Sequence, residues 1–593
     1  MALGTSVLKA GDVEQTQGGS SIDPTTLKAL VDHGLSLEFK HRWQDAIQHY
    51  ERSLRKFPKL ADVEHRLQIA RIHHDIVRRY SDSTFLSSID ETDASRVLDL
   101  FSEVLSKLEL NYVEPIDLTA VVRHGTAFLE CALTEKDFLQ RHLQGSQPVA
   151  VEQFRANVHK VALASPIRNR NEARAIVWKV ANLANQQLGL KPTAAMYEYV
   201  CGAVGLLDSY SGYMTSGELN EVMAQIKGNL IGLGVELSAE RDVLRIVEVF
   251  PRSPAAMAGL IAGDKILQVG RAVTSEVTAK RAADLLRGPE NSQVSLLIER
   301  RDADSDAPME PKPFTVTRRR VDVPSVPAAE MLDSPLGIAY IRLTNFQETT
   351  PHEVDLALRD LHRQGMRSLI IDLRRNPGGL LDAAVELADR FLKRGPIVST
   401  QGRNAAENRT YAAHEPQTWE IPLTVLIDAD SASASEIFAG AIRDHRRGML
   451  VGQTSYGKGS VQGLFHTDVT SGGLRLTVSK FFSPNGTPIS RLGVRPHVAV
   501  DPQGLEGPDT KSSANRYVGS SISRMSDQDG LARMAAKFEI PASDADVYAK
   551  AKPVLGADGG STINFRSKDQ DLVLRRAIEV ARDAVRLTAQ ASP

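Results

Sequence analysis

The stretch "DADSASASEIFAGA" (Asp428–Ala441) sets Ser431, Ser433 and Ser435 at alternate positions ahead of Glu436 and an apolar, helix-like run. A hydroxyl here can do one of two things. Ser433 and Glu436 form an S-x-x-E capping box, and Ser431 is also placed to cap, so the stretch reads as a helix start. Yet it directly follows the apolar strand "LTVLIDA", at the end where open α/β sheets place their sites. A serine there sits beside free N–H groups and the positive end of a helix, which suits a nucleophile. Spacing does not choose among the three.

A nucleophilic serine needs a base. His445, the nearest histidine in sequence, lies twelve residues beyond Ser433. Along a helix that is roughly 18 Å, out of reach. No G-x-S-x-G elbow occurs in the chain either. The strand "GMLVGQ" that follows the helix travels back roughly 20 Å at ~3.3 Å per residue. The next loop, "TSYGKGSVQ", therefore returns to the serines carrying Lys458 between two glycines. A Ser–Lys pair is the economical reading. To act as a base near neutral pH the lysine must be neutral, which asks for about 4 kcal/mol of environmental effect, such as burial in a dry pocket supplies. The G-K-G triplet lacks the G-x-x-x-x-G-K-[ST] frame and is not read as a nucleotide loop. An oxyanion hole is also required. The N–H of Ala434 is one natural donor, and "DLRRNPGG" offers Gly378 or Gly379 as the other.

These residues need a scaffold. A chain of 593 residues divides into roughly three to five domains. Apolar residues make up 42%, charged residues 24%, and the net charge is -2, an ordinary balance with no polyanion-binding surface. No nucleic-acid partner is expected. The two cysteines, Cys131 and Cys201, exclude a disulfide framework. No apolar run approaches a membrane span and no signal peptide is visible, so the compartment stays open between cytoplasm and periplasm.

Residues 1–23 read as a polar tail. Gly34, Ala46, Tyr50, Ser53 and Pro58 are spaced as in one tetratricopeptide repeat, which a plain helical hairpin also resembles. Residues 24–80 form that region, and 81–225 a further helical region. The period then changes: "LIGLGVEL", "VLRIVEVF", "DKILQVG" and "VSLLIER" read as strands, with short helices "PRSPAAMAGL" and "KRAADLLRG" between them. From Leu336 strands and helices alternate, predicting an α/β domain with strands buried on both faces. Beyond 505 a polar stretch leads to an amphipathic helix, "DQDLVLRRAIEVARDAV".

Together, "LIIDLRRNPGGLLDAAVELADRFL", "SASASEIFAGAIRDHRRGMLVGQTSYGKGSVQ" and "LRLTVSKFFSPNGTPISRLGVRPHV" resemble the carboxyl-terminal processing proteases, the tail-specific peptidases. "GLLDSYSGYMT" matches that family's run into its PDZ domain. The resemblance covers about residues 95–505, with an insertion near 138–190. It implies a crotonase-like α/β protease core at 326–505, an inserted PDZ domain at 226–325 and an α-helical N-terminal region. It selects Ser433 as nucleophile, Lys458 as base, Gln462 as the residue orienting that lysine, and Gly379 and Ala434 as oxyanion donors. Gly232, Leu233 and Gly234 become the PDZ loop that binds a substrate's terminal carboxylate. Arg287 is a candidate link from PDZ domain to active site. The resemblance implies protein or peptide substrates with apolar C-termini and export from the cytoplasm, and no metal or cofactor is implied.

His497 stands where the family usually carries an acidic residue, and a structural effect is expected of it. The N-terminal helical region is not a usual family part and suggests a partner's docking surface; a homo-oligomer is left open. Two rival functions stand beside the protease. A PDZ and helical-repeat scaffold would not need Ser433, Lys458 and Gln462 together. An acyl-CoA enzyme of the same fold would leave the PDZ domain and Lys458 unexplained.

Overall fold

The computed structural model describes residues 23–500 and 571–591, apart from 58–59, 145–147, 163, 165, 241–242, 275–284, 287, 289, 302–306 and 415–417. The chain divides into two compact units. One takes residues 1–105, 117–215 and 467–471, and the other takes 106–116, 216–466 and 472–593.

The first unit is helical. Pro24–Phe39 and Trp43–Lys56 form a hairpin. Gly34 lies so close to the Tyr50 ring that a Cβ there would overlap it. Ala46 and Tyr50 are fully buried. The small-residue and aromatic-knob positions read from the sequence thus do pack at a helix crossing, while Pro58 lies outside the described residues. Aspartate or asparagine side chains cap several of the helices, with Asp82, Asp117 and Asn169 each accepting a first-turn N–H. Helix Pro192–Gly205 is buried from Thr193 to Val204, as a sequence apolar on all sides requires. Cys131 and Cys201 are both free thiols.

The second unit holds the strand-rich domain. Val235–Glu240, Val243–Val249, Lys265–Val269, Gln293–Glu299 and Lys312–Thr317 pair in that order, all antiparallel. Leu244, Ile246, Ile266, Leu296 and Ile298 point into its core. The run "LIGLGVEL", expected as one strand, is two. Asn229–Gly232 pairs instead with Arg319–Asp322 as a separate ribbon. The break falls at Gly234, whose φ of 77° favours glycine and turns the chain out of the ribbon. "PRSPAAMAGL" contains a single helical turn, Pro254–Met257, capped by Ser253. Most of "KRAADLLRG", including Arg287, lies outside the described residues.

The α/β core is a six-stranded sheet: β1 (Ala328–Asp333), β2 (Ile338–Arg342), β3 (Ser368–Asp372), β4 (Leu423–Ile427), β5 (Met449–Gly452) and β6 (Val498–Ala499). The spatial order follows the chain, with β1 antiparallel and the rest parallel. Successive right-handed crossovers in one direction place every crossover helix on one face. That face carries α1 (Thr350–Arg363), α2 (Leu381–Asp389) and α3 (Ala434–Asp444), whose core includes Leu358, Leu387 and Phe438. The other face is covered by α4 (Leu572–Ala591), whose Val573, Leu574, Ala577, Val580 and Ala581 pack on Tyr340, Ile370, Leu426 and Val451. Covered on both sides, β3, β4 and β5 are wholly buried. A second sheet holds the hairpin Ser460–His466 and Gly473–Phe482, the latter strand also pairing with Gly395–Gly402.

His497 pins β6 onto β5. Its Nδ1 accepts the N–H of Leu450 and its own N–H donates to the Leu450 carbonyl, both at 2.9 Å. One flank of the residue stays exposed. Desolvation of the ring, with Arg443 as the next cause, holds it down to about 4, so it serves as a neutral acceptor.

Candidate active site

β3 and β4 are neighbours in the sheet, and the loops that leave them are stitched together. Ala432 N–H and the Ser435 hydroxyl both donate to the Asn376 carbonyl, at 3.0 and 2.9 Å. The Ser431 hydroxyl donates to the Leu373 carbonyl at 2.8 Å. Arg375 N–H donates to Asp428 at 2.9 Å.

This stitching separates the three serines. Ser431 and Ser435 are fully buried, with their hydroxyls spent on backbone carbonyls. Ser433 keeps partial exposure. It occupies the N-cap of α3 at φ 55°, ψ −114°, a conformation costly for any residue with a Cβ. A strained serine at this sharp strand-to-helix turn is thereby set apart from its two buried neighbours.

Glu436 takes part in more than a helix cap. It is fully buried, and its Oε2 accepts the N–H of Ser433 at 2.8 Å and the N–H of Lys458 at 2.9 Å. Its Oε1 accepts the Ser455 hydroxyl and the Gly457 N–H, both at 2.6 Å. Burial raises its pKa, and the four donors work against that rise. The Tyr456 N–H, donating to the Ser431 carbonyl at 3.0 Å, adds a further tie. The loop after β5 does return to the serines, as the helix-out, strand-back count requires. Lys458 is half-buried between two buried glycines. Gly457 has a φ of 90°, and a Cβ on it would lie 3.1 Å from the Arg491 backbone. His445 sits at the opposite end of α3, its Nε2 on the Pro396 carbonyl at 2.7 Å.

Gln462, half-buried on the neighbouring hairpin, donates its amide nitrogen to Ser460 at 2.9 Å and to Thr477 at 3.4 Å. The N–H of Gly378 is taken by Asn376 Oδ1 at 2.9 Å. Those of Gly379 and Ala434 have no acceptor among the described residues. A Cβ on Gly378 would lie 2.8 Å from both the Ala434 nitrogen and the Ser433 Cβ, so Gly378 runs directly against the start of α3, while a Cβ on Gly379 would overlap the Phe346 carbonyl. Asn376 escaped the sequence reading, as did the second role of Glu436. The signal for Asn376 was an amide side chain immediately before Pro-Gly-Gly.

In the strand-rich domain the carbonyls of Leu233 and Gly234 accept from Ala255 and Phe250, at 2.9 and 3.0 Å. The N–H groups of these two residues have no acceptor among the described residues. Gly232 ends the ribbon strand beside them.

Residues 337–500 match peptidase family S41 and residues 245–300 match the PDZ domain. A carboxy-terminal-processing protease of Bartonella bacilliformis is 36% identical over 300 residues, 50% of this chain and 67% of that protein. A carboxyl-terminal-processing protease of Picosynechococcus is 34% identical over 319 residues, 52% of this chain and 74% of its own. Among solved structures, the photosystem II D1 C-terminal processing protease is 23% identical, with a TM-score of 0.38 over 70% of this chain and 95% of that one. With these relatives matched over two thirds or more of their length and a PDZ domain ahead of the peptidase core, the chain belongs to peptidase family S41, the carboxyl-terminal-processing serine proteases.

Proposed function

We propose that this protease cleaves peptide bonds through Ser433 and Lys458, on a crotonase-like core, after its PDZ domain has engaged a substrate's C-terminal tail. The neutral Lys458 amine takes the Ser433 proton as Oγ attacks the scissile carbonyl. The N–H groups of Gly379 and Ala434 receive the developing oxyanion. Lys458 then passes its proton to the leaving amine, and water hydrolyses the acyl-enzyme by the same route in reverse. Gln462 orients the lysine. The N–H groups around Gly232, Leu233 and Gly234 take the tail's carboxylate, and the tail adds as a strand, favouring apolar termini.

The observation that carries this reading is the shared Glu436 oxygen, which ties the backbones of Ser433 and Lys458 to one point. A scaffold has no use for such a tie. The test is incubation with an unfolded protein bearing an apolar C-terminus, comparing wild type with Ser433→Ala and Lys458→Ala. Both variants are expected to be inactive; equal cleavage by all three would sink the dyad, and no cleavage by wild type would favour the scaffold.

A further inference from the structure

The loop that carries Gly379 begins at Arg374, and Arg374 is held from the far end of the chain. Its guanidinium makes two paired contacts. One is to Asp372, with Nε to Oδ1 at 2.9 Å and Nη2 to Oδ2 at 2.6 Å. The other is to Asp571, with Nη1 to Oδ1 and Nη2 to Oδ2 both at 2.8 Å. Asp571 stands just before α4 and also accepts the Leu574 N–H at 3.0 Å, so one side chain both starts the helix and grips the arginine.

The charges around this point balance. Arg342 also pairs with Asp372, at 3.0 Å, and Tyr340 donates its hydroxyl to the same carboxylate at 2.9 Å. Two guanidinium groups thus face two carboxylates, with Asp372 fully buried and Arg374 nearly so. Without Asp571, two cations would share one carboxylate in a desolvated place, which is costly enough to displace a side chain. Arg374 is the one released, because Asp571 supplies two of its contacts, whereas Arg342 is held within β2 and keeps its contact to Asp372.

The loop that carries Gly379 is short and hydrogen-bonded from Arg374 to Gly378. Arg375 follows at φ 60°, then Asn376, whose side chain bonds the Leu343 carbonyl and the Gly378 N–H, both at 2.9 Å. The Asn376 carbonyl receives Ala432 and Ser435, which flank Ser433. A shift at Arg374 has no slack to absorb it before Gly378 and Gly379. We propose that Asp571 is a positioning residue: by holding Arg374 it fixes the 374–379 loop, and with it the aim of the Gly379 N–H at the oxyanion.

The inference rests on the proposed Ser433 mechanism, and its test keeps the two apart. The full-length protein is labelled at Ser433 with a fluorophosphonate, and kcat and KM are measured on an unfolded protein substrate. Asp571→Asn is expected to slow labelling and lower kcat by roughly 10- to 100-fold, since a lost oxyanion donor costs about 10²–10³ and a misaimed one less. KM should stay within about twofold, and Asp571→Glu should recover much of the rate. The control is Arg582→Ala, which cuts a second polar tie of α4, to Asp333 at 3.2 Å, about three helical turns from Asp571. It should lower the melting temperature without slowing labelling at a temperature where the protein is folded. Labelling of Asp571→Asn at the wild-type rate overturns the inference. So does an equal loss in Arg582→Ala, which would make the effect one of helix docking alone. Wild type that is never labelled at Ser433 removes the mechanism itself, a separate failure.

Discussion

The backbone N–H groups of Ser433 and Lys458, twenty-five residues apart in sequence, end on one carboxylate oxygen of Glu436, at 2.8 and 2.9 Å. Glu436 lies in the first turn of α3, whereas Lys458 sits on a loop between two glycines. The carboxylate therefore does for the loop what α3 does for the serine: it sets a position the local backbone would not hold by itself.

Replacing Glu436 with Gln tests this directly. A carboxylate presents only acceptors, and four donors converge on it. An amide presents one oxygen and one NH2, so some of these donors face a donor. Leaving a buried donor unsatisfied costs about 1–3 kcal/mol. Glu436→Gln should melt lower by about that amount and lose on the order of 10²-fold in kcat, as misplacement by about an ångström can cost. Steady-state kinetics and a melting curve check it; unchanged kcat would show that the tie is not needed.

The same residue sets a pH expectation. Burial raises the Glu436 pKa, so it takes up a proton at a higher pH than an exposed glutamate. Protonation puts a hydroxyl donor among four donors and loosens the Ser433–Lys458 tie. Below the limb that protonation of Lys458 itself imposes, kcat should therefore fall a second time above the ordinary glutamate range, and Glu436→Gln should lack that second fall. The measurement is kcat against pH for both proteins.

Much of the architecture around this site was legible in the sequence. Alternation of apolar strands and helices gave the α/β core, because buried parallel strands must read as continuous apolar runs. The return of Lys458 to the serines followed from segment lengths alone. Side-chain roles were harder. Glu436 looked like a capping residue because an S-x-x-E pattern records only the local partner, and Lys458 is twenty-two positions away. Nothing in the local sequence of Asp571 points to Arg374, 197 positions earlier. The split of "LIGLGVEL" into two strands was hidden because apolar pattern continues across Gly234 while the backbone does not.

Substitution of each serine should sort them by chemistry and by strain. Ser431→Ala loses a hydroxyl bonded to the Leu373 carbonyl and should cost about 1 kcal/mol of stability while keeping activity. Ser433→Ala should abolish activity with little effect on stability. Ser433→Gly should also be inactive, yet melt higher than Ser433→Ala, because glycine accepts the φ of 55° where a Cβ costs about 1–3 kcal/mol. Melting of the glycine variant below the alanine variant would mean that the turn is not strained.

The PDZ loop depends on one glycine more than on its neighbours. Gly234 has a φ of 77°, and a Cβ on it would overlap Ser253, the residue that caps the helical turn Pro254–Met257. The Gly234 and Leu233 carbonyls are fixed by Phe250 and Ala255, so the loop cannot swing away to make room. Gly232 differs, because a Cβ there would meet nothing within 4 Å. Gly234→Ala should therefore weaken binding of a peptide with an apolar C-terminus by tenfold or more, about 1.4 kcal/mol or above, while Gly232→Ala binds within a few-fold of wild type. Titration of a fluorescent C-terminal peptide, beside the same peptide amidated at its terminus, gives both numbers. Amidation should abolish binding to wild type, since in the proposed mode the N–H groups of Leu233 and Gly234 take the carboxylate. Equal binding of the amide would move the recognition site off residues 232–234.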